Sequence, residues 1–253
     1  MDKNIKPVTL SEISEAAQKR VNFISREFTN GFEFVKNYPR SVTFFGSARI
    51  KEDEYYYKKA RELASKIVEE LHYSVITGGG PGIMEAANRG AFEAGGNSLG
   101  LTIDLPNEQL TNPYLTDQED FHYFFSRKVC LSFSAEAYIF FPGGFGTLDE
   151  FLEILTLVQT GKIPKAPMIL VGMEYWSAFE KFFKEVLLVN KTINTEDLDL
   201  YTITEDEEKI LQIIKQAPIR MGLKYDESLE KVKGDRPTKN GHEPLSGLFR
   251  KIW

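Results

Sequence analysis

A chain of 253 residues with 42% hydrophobic content has enough apolar material for one sizeable α/β domain with additions. A formal net charge of −6 with no basic block argues against a nucleic-acid groove. The single cysteine, Cys130, rules out an internal disulfide and fits a reducing, cytoplasmic compartment, while the lack of a long apolar run and the polar start Met1-Asp2-Lys3-Asn4 argue against a membrane span or signal peptide.

From about Ser11 to Lys36, the spacing of Ile13, Ala17, Val21, Ile24 and Phe28 predicts a helix capped by Ser11 and ended by Tyr38-Pro39. Ser41 to Phe45 is β-branched and aromatic and reads as a strand running into Gly46-Ser47-Ala48-Arg49, followed by a helix over 53–71. Tyr73 to Thr77 is a second strand, Gly78-Gly79-Gly80-Pro81-Gly82 a turn, and Ile83 to Phe92 a helix. Ser98 to Ile103 is a third strand. Residues 104–120, with Pro106, Asn112 and Pro113, read as a long loop of a length usually kept for function. Phe121 to Phe125 reads as a short strand or extended piece, and Ser126 as the cap of a helix reaching about Glu136.

Ala137 to Phe141 is apolar throughout and reads as a fully buried strand. Pro142 to Gly146 turns the chain into a helix over 147–160, on which Leu148, Phe151, Leu152, Leu155 and Val158 recur at helical spacing. Met168 to Gly172 is a further strand, followed by helices over 175–188 and 205–216. This alternation predicts an α/β fold of the Rossmann kind, a parallel sheet with helices on both faces. An N-terminal helical extension (1–37) precedes the nucleotide-binding domain (38–218), and a polar tail (219–253) follows; its apolar end, Leu248, Phe249, Ile252 and Trp253, is suited to docking. Among Val129, Leu131 and Phe133, Cys130 reads as core filler rather than a nucleophile.

Both glycine turns join a strand to a helix N-terminus, where backbone N–H groups lack intrahelical partners and suit a phosphate. Neither fits a standard nucleotide signature. Glu85 stands where a dinucleotide fingerprint needs Gly or Ala, and no Gly-Lys-Ser/Thr follows either turn. In a parallel sheet both turns fall at the carboxyl ends of strands, where ligands bind.

With Gly78 to Ala91, Ser126-Arg127-Lys128 and Pro142-Gly143-Gly144-Phe145-Gly146-Thr147-Leu148-Asp149-Glu150 in order, residues 40–190 resemble the Lonely guy (LOG) family of cytokinin riboside 5′-monophosphate phosphoribohydrolases, often mislabelled lysine decarboxylases. The Gly-Gly-Gly-Pro-Gly form and both extensions look like the longer members. The resemblance implies a modified Rossmann fold, a homodimer or larger assembly, no cofactor and no metal. It makes Glu150 and Arg127 the catalytic residues. A pyridoxal-phosphate decarboxylase would need a Schiff-base lysine in context; His72, His122 and His242 precede Tyr, Tyr and Glu, so no His-Lys pair exists.

Cleaving the N-glycosidic bond of a nucleoside 5′-monophosphate develops positive charge on the ribose. Glu150, one turn into the helix that begins at the phosphate turn, is placed to stabilise that charge or to activate water. Arg127 is assigned positioning and electrostatics, because a guanidinium is a poor proton donor. Substrate contacts are expected from Gly46, Ser47, Gly79, Gly80, Gly82, Glu85, Lys128, Gly143, Gly144, Gly146 and Thr147, the last also capping its helix. Arg49 is a candidate phosphate contact, and Asp149 is expected to face solvent. Two alternatives stand beside this reading. One is a non-catalytic nucleotide or molybdenum-cofactor carrier, which has no use for Glu150 together with Arg127. The other is a broad-specificity nucleotide nucleosidase. Expected partners are the monophosphate substrate and further copies of the chain, with neither nucleic acid nor membrane.

Overall fold

The computed structural model describes residues 9–104 and 111–219. The chain divides into compact units Met1–Arg220 and Met221–Trp253. The second unit, with the tail and its predicted docking end, lies outside the described residues, as do 105–110 of the predicted long loop.

In chain order the elements are α1 (Leu10–Lys36), β1 (Ser41–Phe45), α2 (Tyr55–Leu71), β2 (Ser74–Thr77), α3 (Ile83–Glu93), β3 (Ser98–Ile103), β4 (Asp117–Phe121) and α4 (Phe124–Ser132). There follow β5 (Ala137–Phe140), α5 (Phe145–Gln159), β6 (Met168–Leu170), α6 (Met173–Phe182), β7 (Tyr201–Ile203) and α7 (Glu207–Gln216). The seven strands form one sheet in the order β4-β3-β2-β1-β5-β6-β7, every pair parallel. Strands β1, β2, β3, β5 and β6 are short and mostly apolar because both faces are covered. On one face Val42, Phe44, Val75, Ile139 and Phe141 pack under α2, α3 and α7. On the other, Phe45, Ile76, Leu99, Tyr138 and Phe140 pack under α1, α4, α5 and α6. The predicted Rossmann-like architecture is therefore present, with α1 laid on its second face through Phe34 and Val35.

Four local expectations are corrected. The short strand or extended piece expected at Phe121 to Phe125 lies earlier, as β4 at Asp117–Phe121, drawn from the end of the presumed loop. Its run Asp117-Gln118-Glu119-Asp120 carries no apolar alternation because it is an edge strand, where charge blunts pairing with other chains. Ser126 does not cap α4, which begins two residues earlier with Tyr123 as its N-cap. The helix over 175–188 is α6 continued by a π-helical turn, Phe183–Leu188, and β7 follows a 3₁₀ segment, Thr195–Leu200, absent from the sequence reading. β7 is only three residues long, too short for any period to show.

Strands β1 to β4 are laid down in one direction, and β5 then returns to the other side of β1. The crossover makes β1/β5 the point where strand order reverses, and the loops beyond their carboxyl ends diverge to leave a crevice. Those loops are Gly46 to Ile50 and Pro142 to Gly144.

Candidate active site

A cavity of ≈ 970 Å³ opens at this reversal. From β1 it takes Gly46, Ser47 and Arg49, and from β5 Pro142, Gly143 and Gly144. The first turns of α5 add Phe145, Gly146, Thr147 and Glu150, and α4 adds Phe124, Arg127 and Lys128. The volume suits one nucleotide-sized ligand.

Backbone contacts lock the two loops together. The Ser47 N–H donates to the Pro142 carbonyl at 3.0 Å, and the Ser47 carbonyl accepts from Ile83 N–H at 3.0 Å. Gly143 must be glycine for packing: a Cβ there would stand 2.1 Å from Thr147 Oγ1 and 3.0 Å from Ser47 N. The Tyr175 hydroxyl donates to the Gly143 carbonyl at 2.6 Å, holding the turn from α6. No sequence signal marked Tyr175, since its partner lies 32 residues away and its own helix gives it no special context. Gly144 is the N-cap of α5 and no side chain caps that end. Thr147 therefore does not cap as expected; it is buried beneath the turn. A Cβ on Gly144 or Gly146 would meet nothing within 4 Å. The uncapped first turn of α5 thus presents its N–H groups to open space.

The second glycine turn behaves differently. Of its glycines only Gly78 lines the cavity. Gly79 N–H donates to Thr77 Oγ1 at 2.8 Å, and its carbonyl accepts from Asn112 N–H at 2.8 Å. The Gly80 carbonyl accepts from Asn112 Nδ2 at 3.1 Å, and Asn112 Nδ2 also reaches Asn88 Oδ1 at 2.9 Å. Gly82 adopts φ 69°, and a Cβ there would lie 2.3 Å from the Ser47 carbonyl oxygen. This turn is wired into a buried polar network and braces the β1 loop. Glu85 points away, accepting from the Tyr57 hydroxyl at 2.8 Å on α2. Gly79, Gly80, Gly82 and Glu85 thus do not line the cavity, although Gly82 packs against Ser47, which does. Their glycine pattern resembled a phosphate turn because close backbone packing and ligand approach both require a missing Cβ.

Glu150 is 7% exposed and its Oε2 has no hydrogen-bond partner. Burial pushes its carboxyl up to about 7, against the opposing pull of Arg127 and then Lys128. Arg127 also has a buried Nε without a partner, and burial lowers its pKa while Glu150 raises it. Its guanidinium lies 5.5 Å from the Phe124 ring centroid. Lys128 lines the cavity but is ion-paired to Asp149 at 2.7 Å and to Glu153 at 2.8 Å, and its pKa is raised. Asp149 is exposed as expected, with Lys128 as its partner. Arg49 is exposed on the rim and, among the described residues, forms no ion pair. Cys130 is buried core, its thiol pushed up to about 12 by burial, which leaves it inert as a nucleophile. Among the described residues no group of three or more His, Cys, Asp or Glu is arranged to hold a metal ion, and no helix is long and apolar enough to cross a membrane.

The chain is similar to the cytokinin riboside 5′-monophosphate phosphoribohydrolase LOG of Oryza sativa subsp. japonica, 27% identical over 195 residues covering 75% of this chain and 79% of that protein. It is also similar to the cytokinin riboside 5′-monophosphate phosphoribohydrolase of Rhodococcoides fascians, 29% identical over 143 residues covering 54% of this chain and 71% of that protein. In fold it is similar to the molybdenum cofactor carrier protein of Chlamydomonas reinhardtii, with a TM-score of 0.53, 23% identity, and coverage of 70% of this chain and 97% of that one. A family model described as "Possible lysine decarboxylase" matches residues 84–214, just over half of the 253-residue chain. On that match, and on the relatives it shares, the chain belongs to the LOG family that this description covers.

Proposed function

We propose that this chain hydrolyses the N-glycosidic bond of a nucleoside 5′-monophosphate, a cytokinin riboside 5′-monophosphate or an AMP-like nucleotide, releasing free base and ribose 5-phosphate. One observation carries the reading: Glu150, a buried carboxylate with an unpartnered oxygen, lies one turn inside a helix whose uncapped N-terminus opens onto the cavity. The 5′-phosphate sits against the first-turn N–H groups of α5 at Gly144 to Thr147, with Ser47 and Arg49 on the β1 side. The ribose then lies within reach of Glu150. As the C1′–N bond lengthens, Glu150 stabilises the cationic sugar and takes a proton from water. The water oxygen bonds to C1′, and the base leaves with the bonding electrons and takes a proton from solvent, to which Glu150 then returns the one it accepted. Arg127 holds ribose or phosphate oxygens with a fork that stays charged.

A carrier of the molybdenum-cofactor type would share the glycine loops with this fold. A pure binder gains nothing from keeping a carboxylate dry and half-protonated, an arrangement that costs stability and serves acid–base chemistry. The decarboxylase description finds no support at the site. The cavity lysine, Lys128, is held as an ammonium by two carboxylates, whereas a Schiff-base lysine must be free to lose its proton.

We further infer a homodimer or larger assembly. Phe124, Phe125, Phe145 and Leu152 are exposed on adjoining helices, Phe145 by 93%. Light scattering at micromolar concentration should give at least twice 28.9 kDa, and a monomer mass would overturn this.

The function is tested by incubating the protein with AMP, other monophosphates, N6-prenylated AMP and the matching nucleosides, then separating free bases. Two charge-assisted hydrogen bonds to phosphate are worth roughly 3–6 kcal/mol, so monophosphates should be cleaved ~10²–10⁴-fold more efficiently than nucleosides. Equal efficiencies would overturn the phosphate assignment, and no base release from any of them would overturn the activity.

A further inference from the structure

Glu27, in the middle of α1, is 6% exposed although it is a carboxylate with no Lys, Arg or His paired to it among the described residues. Its partners lie 95 to 99 residues away, at the start of α4. Glu27 Oε1 accepts from His122 N–H at 2.5 Å, and both carboxylate oxygens lie 3.4 Å from Tyr123 N. The Ser126 hydroxyl lies 2.5 Å from Glu27 Oε2 and 2.9 Å from the Tyr123 carbonyl. Tyr123 is the N-cap of α4 and supplies no side-chain cap of its own. A side chain from another helix therefore accepts from the N-cap N–H and the one before it, and its charge complements the dipole of α4.

One turn further along α1, Gly31 brings the two helices into direct contact. A Cβ there would stand 2.6 Å from Cys130 Sγ and 2.7 Å from Phe121 Cζ. Helix α4 is thus held at its start by Glu27 and near its end by Gly31. The residue after Ser126 is Arg127, whose side chain enters the cavity without a hydrogen-bond partner on Nε. No polar contact fixes that end of the guanidinium, so its placement relies on the backbone of the first turn of α4.

We propose that Glu27 is a positioning residue: through His122, Tyr123 and Ser126 it sets the α4 first turn, and so places Arg127 opposite Glu150. This makes the N-terminal helix a working part of the site rather than an appendage. The inference rests on the proposed role of Arg127. Replacing Glu27 with Gln removes the charge and leaves one acceptor oxygen where there were two, with an amide NH₂ set against the Tyr123 N–H, so the clamp is weakened while shape is kept.

The test is a double-mutant cycle in the full chain, using the monophosphate that wild-type protein cleaves fastest, with amide hydrogen exchange as a second readout. Glu27→Gln should lower turnover by about tenfold, a misplacement effect. In an Arg127→Ala background the same change should alter turnover less than twofold, because the group being positioned is gone. Ser126→Ala, which removes one contact, should show the same dependence on Arg127 with a smaller loss, and serves if Glu27→Gln does not fold. Exchange at residues 122–127 should speed up in either variant. Unchanged exchange there overturns the clamp. Faster exchange with losses that multiply fully in the Arg127→Ala background overturns the positioning role and leaves a cap that serves only the fold. Should wild-type protein cleave no monophosphate, the proposed function fails, and the clamp is judged on exchange alone.

Discussion

Glu150 and Arg127 enter one cavity from neighbouring helices, and each keeps a buried polar atom, Oε2 and Nε, without a hydrogen-bond partner. Opposite charges in a low-dielectric site would ordinarily close on one another, since unpaired burial costs each several kcal/mol. They stand on separate helices, α5 and α4, and among the described residues they form no ion pair with each other, so each is free to engage a third group. A sugar ring with developing positive charge and neighbouring oxygens is such a group.

The strain at Glu150 should be measurable as stability. Its carboxyl is raised from 4.5 to about 7, so the folded protein holds this proton more tightly than the unfolded chain does. The contribution to stability is fully present below pH 4.5 and is lost as pH rises through about 7. At 1.36 kcal/mol per unit the loss approaches about 3 kcal/mol. Glu150→Gln, which cannot ionise, should therefore be more stable than wild type at pH 8 by about that amount. Denaturant titrations at pH 5 and pH 8 should show the gap closing at the lower pH. An equal gap at both values would place the carboxyl in water.

The same substitution should remove chemistry while leaving binding. Glutamine keeps size and polarity but cannot carry the charge or take a proton, so turnover should fall by ~10² or more with the Michaelis constant little changed. Efficiency in the wild type should rise with pH through about 7 as Glu150 ionises, and Glu150→Gln should lose that limb. Retention of more than a tenth of wild-type turnover would remove Glu150 from the mechanism.

Arg127→Ala should lower turnover, and Arg127→Lys should restore it only in part. Lysine offers a point charge on a flexible stem in place of a planar fork, and burial that already lowers the arginine pKa would neutralise an ammonium more readily. Steady-state rates of the three proteins decide this, and full rescue by lysine would reduce Arg127 to a generic charge.

The glycines of the phosphate turn should separate into two kinds. At Gly143 an added methyl runs into Thr147 Oγ1 and Ser47 N, so Gly143→Ala should cost stability by roughly 1–3 kcal/mol and impair activity. At Gly144 and Gly146 the methyl meets open space. Alanine at Gly146, in the first turn of α5, should leave stability unchanged or raise it by up to about 1 kcal/mol, yet weaken monophosphate binding by occupying the ligand's place. Thermal melts and binding isotherms on the three variants check this. Unaltered monophosphate affinity in the Gly144 and Gly146 variants would move the phosphate elsewhere.

Local chemistry made much of this legible. Apolar runs such as Ala137 to Phe141 and the helical spacing of Phe151, Leu155 and Val158 report burial directly, and strand–helix alternation implies a parallel sheet. The turn at Pro142 to Gly146 and the carboxylate of Glu150 belong to one short segment, so their partnership needed no tertiary information. Strand β4 escaped because an edge strand needs no apolar period, and β7 because three residues show none.

Tertiary structure decided which turn forms most of the cavity wall. By sequence the turns at Gly78 to Gly82 and Pro142 to Gly146 look equivalent, since glycine serves tight packing and ligand approach alike. Strand order separated them: the reversal lies between β1 and β5, so Gly46, Ser47 and Gly143 border the crevice, while Gly79, Gly80 and Gly82 pack against Asn112 and Ser47. The shifted carboxyl of Glu150 and the clamp of Glu27 on α4 likewise arise from groups far apart in the chain. Periodicity and spacing encode contacts within a few turns of chain. Desolvation and long-range hydrogen bonds depend on which surfaces the completed fold brings together.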